Sequence, residues 1–396
     1  MAKKTTIYAD LGVDAGKHDV RATFGKVVHN DFPGAFVNII HDPTTPGTVV
    51  TQHGDGDGSK PIQRILRYLE TGDPSCFAGA VDDAVSMNMG DIAASGFLFG
   101  LTIWTDNLNI RNIPNVLPKK VVMRAFAQRF HELITLYQRQ GFVVRFLGGE
   151  TADLPDQIGT SVFDVTVNAR ELRTNVIKGD VQPGDVIFGF ASDGQAIWED
   201  QPNSGIMSNG LTLAGTCLGW KGYNEKYPFL RLKNPFKGRY KVDDTDPLLN
   251  DTSVFDAMLS PTRQWAFLVR MLVDELQRRK IFYMLHGISM NTGGGATKIG
   301  HVGSGIRYCK KMPDPSGIFK LTQREGGVSW EEMFESFNCS VGLDVVGQDD
   351  RQFRDALLTV SQKSQVALYD LGYTEEHRGG GNKIALETPY GNFDNY

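Results

Sequence analysis

Four cysteines in 396 residues are too few and too scattered for a disulfide framework. Cys76, Cys217, Cys309 and Cys339 show no CxxC spacing, which excludes a zinc knuckle and fits free thiols in a reducing cytoplasm. Long apolar runs are missing too. No stretch reaches the ~18 residues of a membrane span, and the opening MAKKTTIYAD lacks the apolar centre of an export signal. Neither sign of charge dominates: 41 Lys and Arg stand against 46 Asp and Glu, with no basic run, which argues against a nucleic-acid surface. None of the eight histidines is paired at i, i+4, and neither HExxH nor a G-x-S-x-G elbow occurs. Zinc hydrolysis and serine-nucleophile chemistry therefore have no motif here. What remains is the expectation of a soluble, cytoplasmic α/β enzyme without a membrane or nucleic-acid partner.

Glycine is abundant, at 44 residues, and the chain is longer than one ordinary core fills, so two domains are expected. Apolar, β-rich runs at 35–40, 48–52, 142–147, 161–167, 185–190 and 341–346 read as strands. Between them, Val122, Met123, Phe126, Phe130, Leu133, Ile134 and Tyr137 recur at helical spacing in 120–140. Trp265, Leu268, Val269, Leu272 and Leu276 do so in 262–279, behind a Ser260-Pro261 start, and 353–360 opens a third helix. The turn-rich stretch 169–185 places a boundary near 175, giving domains 1–175 and 176–396. Residues 222–252 read as an extended surface excursion and the tail GNFDNY as loose.

The stretch HGDGDGSK (53–60) fails two familiar motifs. Its order is Gly58-Ser59-Lys60, whereas a Walker A loop needs Gly-Lys-Ser/Thr. As an EF-hand it would put Lys60 at position six and Leu66 at position twelve, where glycine and glutamate belong. Two readings stay open: a loop whose amides and carboxylates bind Mg²⁺ and phosphate, or a solvated turn. Further on, AVDDAVSMNMGDIAASG (80–96) carries Asp82, Asp83, Asn88 and Asp91 among apolar and small neighbours, and buried charge needs a partner. FLGGETADLPD (146–156) reads as a strand entering a Gly-Gly turn with Glu150 and Thr151 at its tip. Ser208-Asn209-Gly210 and the triple glycine 293–295 close two further loops, while Cys339 reads as a small core residue.

Taken together and in order, these stretches resemble the phosphoribosylformylglycinamidine cyclo-ligase (AIR synthetase) family. YADLGVDAGK is similar to its N-terminal signature, GDGDGSK to its Gly-rich Asp…Lys loop, MNMGDIAASG to a helix end, and GGETADLP to its Gly-Gly-Glu-Thr segment. SNG, SPTR, TGGG and MFESFNCSVG follow in sequence. The resemblance implies an α/β (α+β) chain of two AIR-synthetase-like domains. Its N-terminal mixed sheet and helices would join a partner's into a barrel across a homodimer, beside a C-terminal α/β domain. It also implies ATP and Mg²⁺ as cofactors, a small ribonucleotide substrate, and a ligase step of purine biosynthesis. By carry-over, Asp55, Lys60 and Asp91 are catalytic. Gly56, Asp57, Gly58, Lys60, Asp83 and Asn88 are on the ATP-phosphate side. Glu150, Thr151, Ser208, Asn209, Gly210, Gly293, Gly294 and Gly295 face the substrate, and Asp55, Asp91 and Glu150 hold the metal.

The sequence departs from that pattern in four places. Met207 and Met290 stand where the family carries histidine, Gly90 stands where asparagine precedes Asp91, and the loop 195–206 before SNG is longer. Methionine neither shuttles a proton nor donates to phosphate, which leaves His53 and His286 as candidates for recruitment.

Overall fold

The computed structural model describes residues 6–13, 23–394 and 396. Residues 14–17 of the N-terminal signature lie outside them.

The first half builds a five-stranded sheet in the order β1-β2-β5-β3-β4. Its strands are β1 (Ile40–His41), β2 (Thr48–Gly56), β3 (Leu101–Ile110), β4 (Val143–Asp153) and β5 (Ser161–Leu172). Only β3 and β4 run parallel. The second half builds a seven-stranded sheet, β12-β11-β8-β10-β6-β9-β7. Here β6 is Val186–Ala191, β7 Leu285–Met290, β8 Ile306–Lys311, β9 Val341–Gly347, β10 Leu368–Glu376, β11 Lys383–Thr388 and β12 Gly391–Phe393. Residue 175 falls between the last strand of the first sheet and the first strand of the second.

Where the apolar period was long, the elements stand as read. The helices Lys119–Arg139, Trp265–Arg278 and Arg351–Ser364 match the three periodic segments. In the first, however, Met123 is exposed and Ile134 half-buried, so its buried face is narrower than the spacing suggests. The stripe Trp265, Leu268, Val269, Leu272 and Leu276 is fully buried. Each such side chain contributes about 1.5–3 kcal/mol on leaving water. The second of these helices begins later than Ser260-Pro261 suggested, because Thr262 and Arg263 are held out of it by side-chain bonds to Asp83 and Glu199.

Other expectations need correction. Of 35–40 only Ile40 is strand, because Val37 N–H donates to Ser95 Oγ and Ile39 N–H to Asn30 Oδ1 instead of to a neighbouring strand. HGDG is not loop. It continues β2 to Gly56, paired residue by residue with β5 from Val167 to Asp164. Glu150 and Thr151 are not at a turn, since β4 runs through both to Asp153 against β3. The excursion 222–252 buries Tyr223, Leu230, Phe236, Tyr240 and Val242, so it is packed into the hydrophobic core and does not lie on the surface. The tail is likewise tied down, through β12 on β11 and the Tyr396 hydroxyl donating to the Glu331 carbonyl at 2.8 Å.

One helix, Ala78–Ala93, is buried on every side from Ala80 onward. Its many small residues let it pack on β2 and β5 on one flank and on the helix Trp265–Arg278 on the other. This helix brings its acidic residues against both halves of the chain.

Candidate functional site

Strand alternation points His53 and Asp55 the same way, because side chains two apart on a strand share a face. That face meets the Ala78–Ala93 helix, where Asn88 and Asp91, three residues apart, share a side. His53 Nε2 lies 3.1 Å from Asp91 Oδ2, and His53 Nδ1 lies 2.9 Å from Asn88 Oδ1. Asn88 Nδ2 in turn donates to the carbonyls of Asp55, Ala84 and Val165. Burial alone would lower the His53 pKa, but the hydrogen bond and charge of Asp91, with Asn88 and Asp55, raise it to about 9. Asp91 keeps its other oxygen, Oδ1, buried without a hydrogen-bond partner.

A second cluster joins the end of HGDGDGSK to the second half of the chain. Gly58 turns with φ +64°, and a Cβ there would run into the Ser208 carbonyl, so glycine is required for this close approach. Ser208 Oγ is 3.0 Å from Thr262 Oγ1, and Thr262 donates to Asp83 Oδ1 through both N–H and hydroxyl at 2.7 Å. Asp83 also receives Lys60 Nζ at 3.0 Å and pairs with Arg64. Burial pushes the Asp83 carboxyl up, yet the charges of Lys60 and Arg64 and the bonds from Thr262 hold it below the usual range. Burial lowers Lys60 to about 8 and pushes Asp57 well above the usual carboxylate value. Asn209 reaches the triple glycine, where a Cβ on Gly293 would lie 3.2 Å from Asn209 Oδ1. Gly210 and Gly295 both pack on Phe337.

The structure thus gathers Gly58, Asp83, Ser208, Asn209, Gly210, Gly293 and Gly295 around one seam, and Asp55, Asn88 and Asp91 around His53. It does not direct Lys60 at a ligand. That ammonium is fully buried and spends its bonds on Asp83 and the Ser260 carbonyl, at 2.6 Å. Nor does it bring Glu150 to Asp55. The register aligns Gly56, Asp164, Asn107 and Glu150 across the sheet, one residue out of step with Asp55 and Val165. Glu150 therefore lies three strands from Asp55, roughly 14 Å, and on the opposite face. The expected trio of metal carboxylates is corrected accordingly: among the described residues no group of three His, Cys, Asp or Glu is placed to hold a metal. What the chain offers is Asp91, with its unpartnered oxygen, and Asp55 beside His53. That donor set suits Mg²⁺, which takes one or two carboxylates and completes its shell with water and ligand phosphates.

Several working residues had no individual signal. Thr262 and Arg64 complete the Asp83 cluster, and Asp164 stands opposite Gly56 with its pKa raised by burial. Arg263 pairs with Glu199 of the loop 195–206 at 2.9 Å, which gives that insertion a docking point. SPTR, quoted as a motif, was the trace of Thr262 and Arg263. Met207 is buried with φ +59°, a strained conformation for its residue type. His286 pairs with Asp185 at the head of β6 and is engaged there.

No family model matches the chain. It is 30% identical over 244 residues to the phosphoribosylformylglycinamidine cyclo-ligase of Methanocaldococcus jannaschii, covering 61% of this chain and 59% of that protein. With the same enzyme of Methanopyrus kandleri it shares 30% over 240 residues, covering 59% and 58%. The match thus spans less than two thirds of the length of these curated relatives. Among solved structures, Thermotoga maritima PurL complexed with FGAR superposes with a TM-score of 0.53 at 13% identity, over 93% of this chain and 48% of that one. Thiamine-monophosphate kinase from Stenotrophomonas maltophilia gives 0.51 at 14%, over 95% and 96%. Hydrogenase maturation protein HypE in complex with ATP gives 0.50 at 14%, over 96% and 94%. The fold is AIR-synthetase-like, and the resemblance drawn from the motifs agrees with the names of the curated relatives.

Proposed function

We propose that the chain is a divergent phosphoribosylformylglycinamidine cyclo-ligase, closing formylglycinamidine ribonucleotide to aminoimidazole ribonucleotide as ATP becomes ADP and phosphate. The observation that most supports this reading is the junction of Gly58 with Ser208, continued through Thr262 to Asp83. Four stretches far apart in sequence, all among those that carry the resemblance or its expected site residues, meet there.

An amide carbonyl is a weak electrophile. Phosphorylating its oxygen lets the substrate's own amine close the ring and displace phosphate, so the protein's task is positioning and charge neutralisation. Bound Mg²⁺ would neutralise the phosphates of ATP. On this reading Asp55 and Asp91 are the metal-side carboxylates, and His53, with both ring nitrogens engaged, keeps Asp91 in place. The phosphate side would be the end of β2 at Gly56 with the turn through Gly58, the buried Asp57 supporting that turn from within. Lys60 and Asp83 position that turn from beneath. Ser208, Asn209, Gly210 and the turn 293–295 face the ribonucleotide. Residues 1–175 would be the nucleotide-side domain and 176–396 the substrate-side one.

A homodimer fits the first sheet. Leu101, Val143, Val162 and Leu172 are exposed on the sheet face turned away from the Ala78–Ala93 helix. An apolar sheet face open to water favours a partner. Glu150 and Thr151 belong to β4 at the edge of this sheet, and in such a dimer they would lie near the seam between the two sheets.

A second reading, ATP-dependent phosphoryl transfer to another small substrate, draws support from Met207 and Met290, which offer no proton where the resemblance calls for histidine. Incubating the protein with formylglycinamidine ribonucleotide, ATP and Mg²⁺, while following ADP and the aminoimidazole product, separates the two. Stoichiometric formation of both products is expected. ATP turnover with only some other acceptor favours the second reading, and ATP binding without turnover rejects both.

A further inference from the structure

A cavity of about 300 Å³ opens between the start of the helix Lys60–Thr71, the start of the helix Leu211–Leu218, and residues 231–234. Its walls include Ser59, Thr212, Ser161, Arg231, Lys233 and Asn234. None of the last three had a role in the sequence reading, since they lie in the stretch taken for a surface excursion.

The charge balance of this cavity is unusual for the molecule. Elsewhere, buried cations have carboxylates: Lys60 and Arg64 share Asp83, Lys310 has Asp344, and Arg263 has Glu199. Arg231 has none among the described residues. Its Nη1 donates to Thr216 Oγ1 at 2.7 Å and to the Asn234 carbonyl at 2.8 Å, while its Nε is buried without a partner. Burial with no acid to offset it lowers the guanidinium pKa to about 10. Arg231 is half-buried rather than enclosed, so its guanidinium is open to the cavity on one side while its Nε is shielded without a partner. A guanidinium withdrawn from water without a counter-charge favours an anion, and it is the side chain best shaped to grip a phosphate or carboxylate in two places. Lys233 adds a second ammonium at the rim, exposed and without an acidic partner among the described residues.

The rest of the wall is shaped around that guanidinium. It lies 4.5 Å from the Phe236 ring, which fixes its plane. Gly215 leaves room for it on the helix Leu211–Leu218, since a Cβ there would collide with Arg231 Nη2 and Gln63 Nε2. Across the cavity, Ser59 Oγ and Thr212 Oγ1 are 2.8 Å apart and tie the two helix starts together. Two cations, two hydroxyls and space beyond a single anion describe a subsite for an anionic group carried on a larger molecule.

We propose that Arg231 and Lys233 form a binding site for a phosphate monoester, with Ser59 and Thr212 as its hydroxyl partners. The cavity itself stands on geometry. Only the identity of the ligand, a sugar phosphate destined for the ATP-dependent step, rests on the function proposed above. The site would hold the unreactive end of the substrate beside the loop 57–59, so that its binding free energy positions the reacting end.

Isothermal titration of the full chain with ribose 5-phosphate, inorganic phosphate and Mg²⁺-ADP tests this. Wild-type protein should bind ribose 5-phosphate more tightly than inorganic phosphate. Arg231→Met and Lys233→Ala should each weaken ribose 5-phosphate by about tenfold or more, and Arg231→Lys by less, while Mg²⁺-ADP changes less than about twofold. Lys233 is exposed, so its variant carries the test even if Arg231→Met fails to fold. Absence of ribose 5-phosphate binding to wild type, or unchanged binding by Lys233→Ala with Arg231→Lys, would overturn the site. Equal affinity for inorganic phosphate would overturn the monoester assignment. Ribose 5-phosphate binding that is lost in the variants, in a protein that ignores Mg²⁺-ADP, would support this site and reject the ATP-dependent function.

Discussion

Met290 occupies the space that a side chain at position 90 would need: a Cβ on Gly90 would meet the Met290 sulfur first, then its methyl and the Trp265 Cβ. Two departures from the family pattern, glycine for asparagine and methionine for histidine, are therefore one packing solution. The helix Ala78–Ala93 crosses β7 at that point, one residue from Asp91.

Gly90→Ala should accordingly destabilise by overpacking, at about 1–3 kcal/mol. In a Met290→Ala background the same substitution should cost much less, because the sulfur is gone. Urea unfolding of the four proteins in this cycle measures the coupling. Costs that simply add would show that the two residues do not share the space.

Asp83→Asn should be among the most damaging single changes. It strands Lys60 and Arg64 as buried charges, and breaking a buried pair in this way costs about 3–5 kcal/mol. Denaturant midpoints report the loss. A variant within about 1 kcal/mol of wild type would mean that the cluster does not hold the loop to the second half.

Asp91→Asn keeps the shape of the side chain but removes the carboxylate charge that suits Mg²⁺. Titration with Mg²⁺-ADP should show affinity falling by about tenfold or more, with affinity for metal-free ADP nearly unchanged. Equal loss of both would point to a structural role for Asp91 instead.

Glu275 links two helices of the second half, accepting from Arg278 at 2.6 Å and Arg279 at 2.8 Å, and from Lys363 at 3.3 Å. The Arg278 bond, with those of Arg279 and Lys363, lowers its pKa to about 2. A depressed carboxylate stabilises the fold above its ordinary pKa, and that contribution is lost as pH falls from about 4.5 towards 2. Glu275→Gln should therefore lower stability near neutral pH and flatten its acid dependence. Unfolding midpoints at about pH 6 and about pH 3 measure both. An unchanged pH slope would remove Glu275 from the acid response.

The insertion 195–206 should depend on one ion pair. Glu199→Ala leaves the buried guanidinium of Arg263 without its carboxylate, and limited proteolysis should then cut within 195–206 faster than in wild type. Arg263 also donates to the Ala191, Asp193 and Gly194 carbonyls. Unaltered cleavage would show that these backbone bonds suffice.

Long-period apolar patterning was enough to locate the helices Lys119–Arg139, Trp265–Arg278 and Arg351–Ser364, since burying a continuous stripe dominates local choice. The ordered motifs likewise identified the kind of fold and most residues of the seam between Gly58 and Ser208. Motif order does not reveal which way a strand side chain points. Whether HGDG and GGET were turns or strands depended on pairing with β5 and β3, and that pairing put Asp55 and Glu150 on opposite faces. The direction of Lys60 was likewise beyond sequence, because its partners Asp83 and the Ser260 carbonyl are distant in the chain. The sequence by itself determined which chemical groups are present and the general architecture that carries them. Register, burial and long-range ion pairing, which exist only once the chain is folded, decided which of those groups meet.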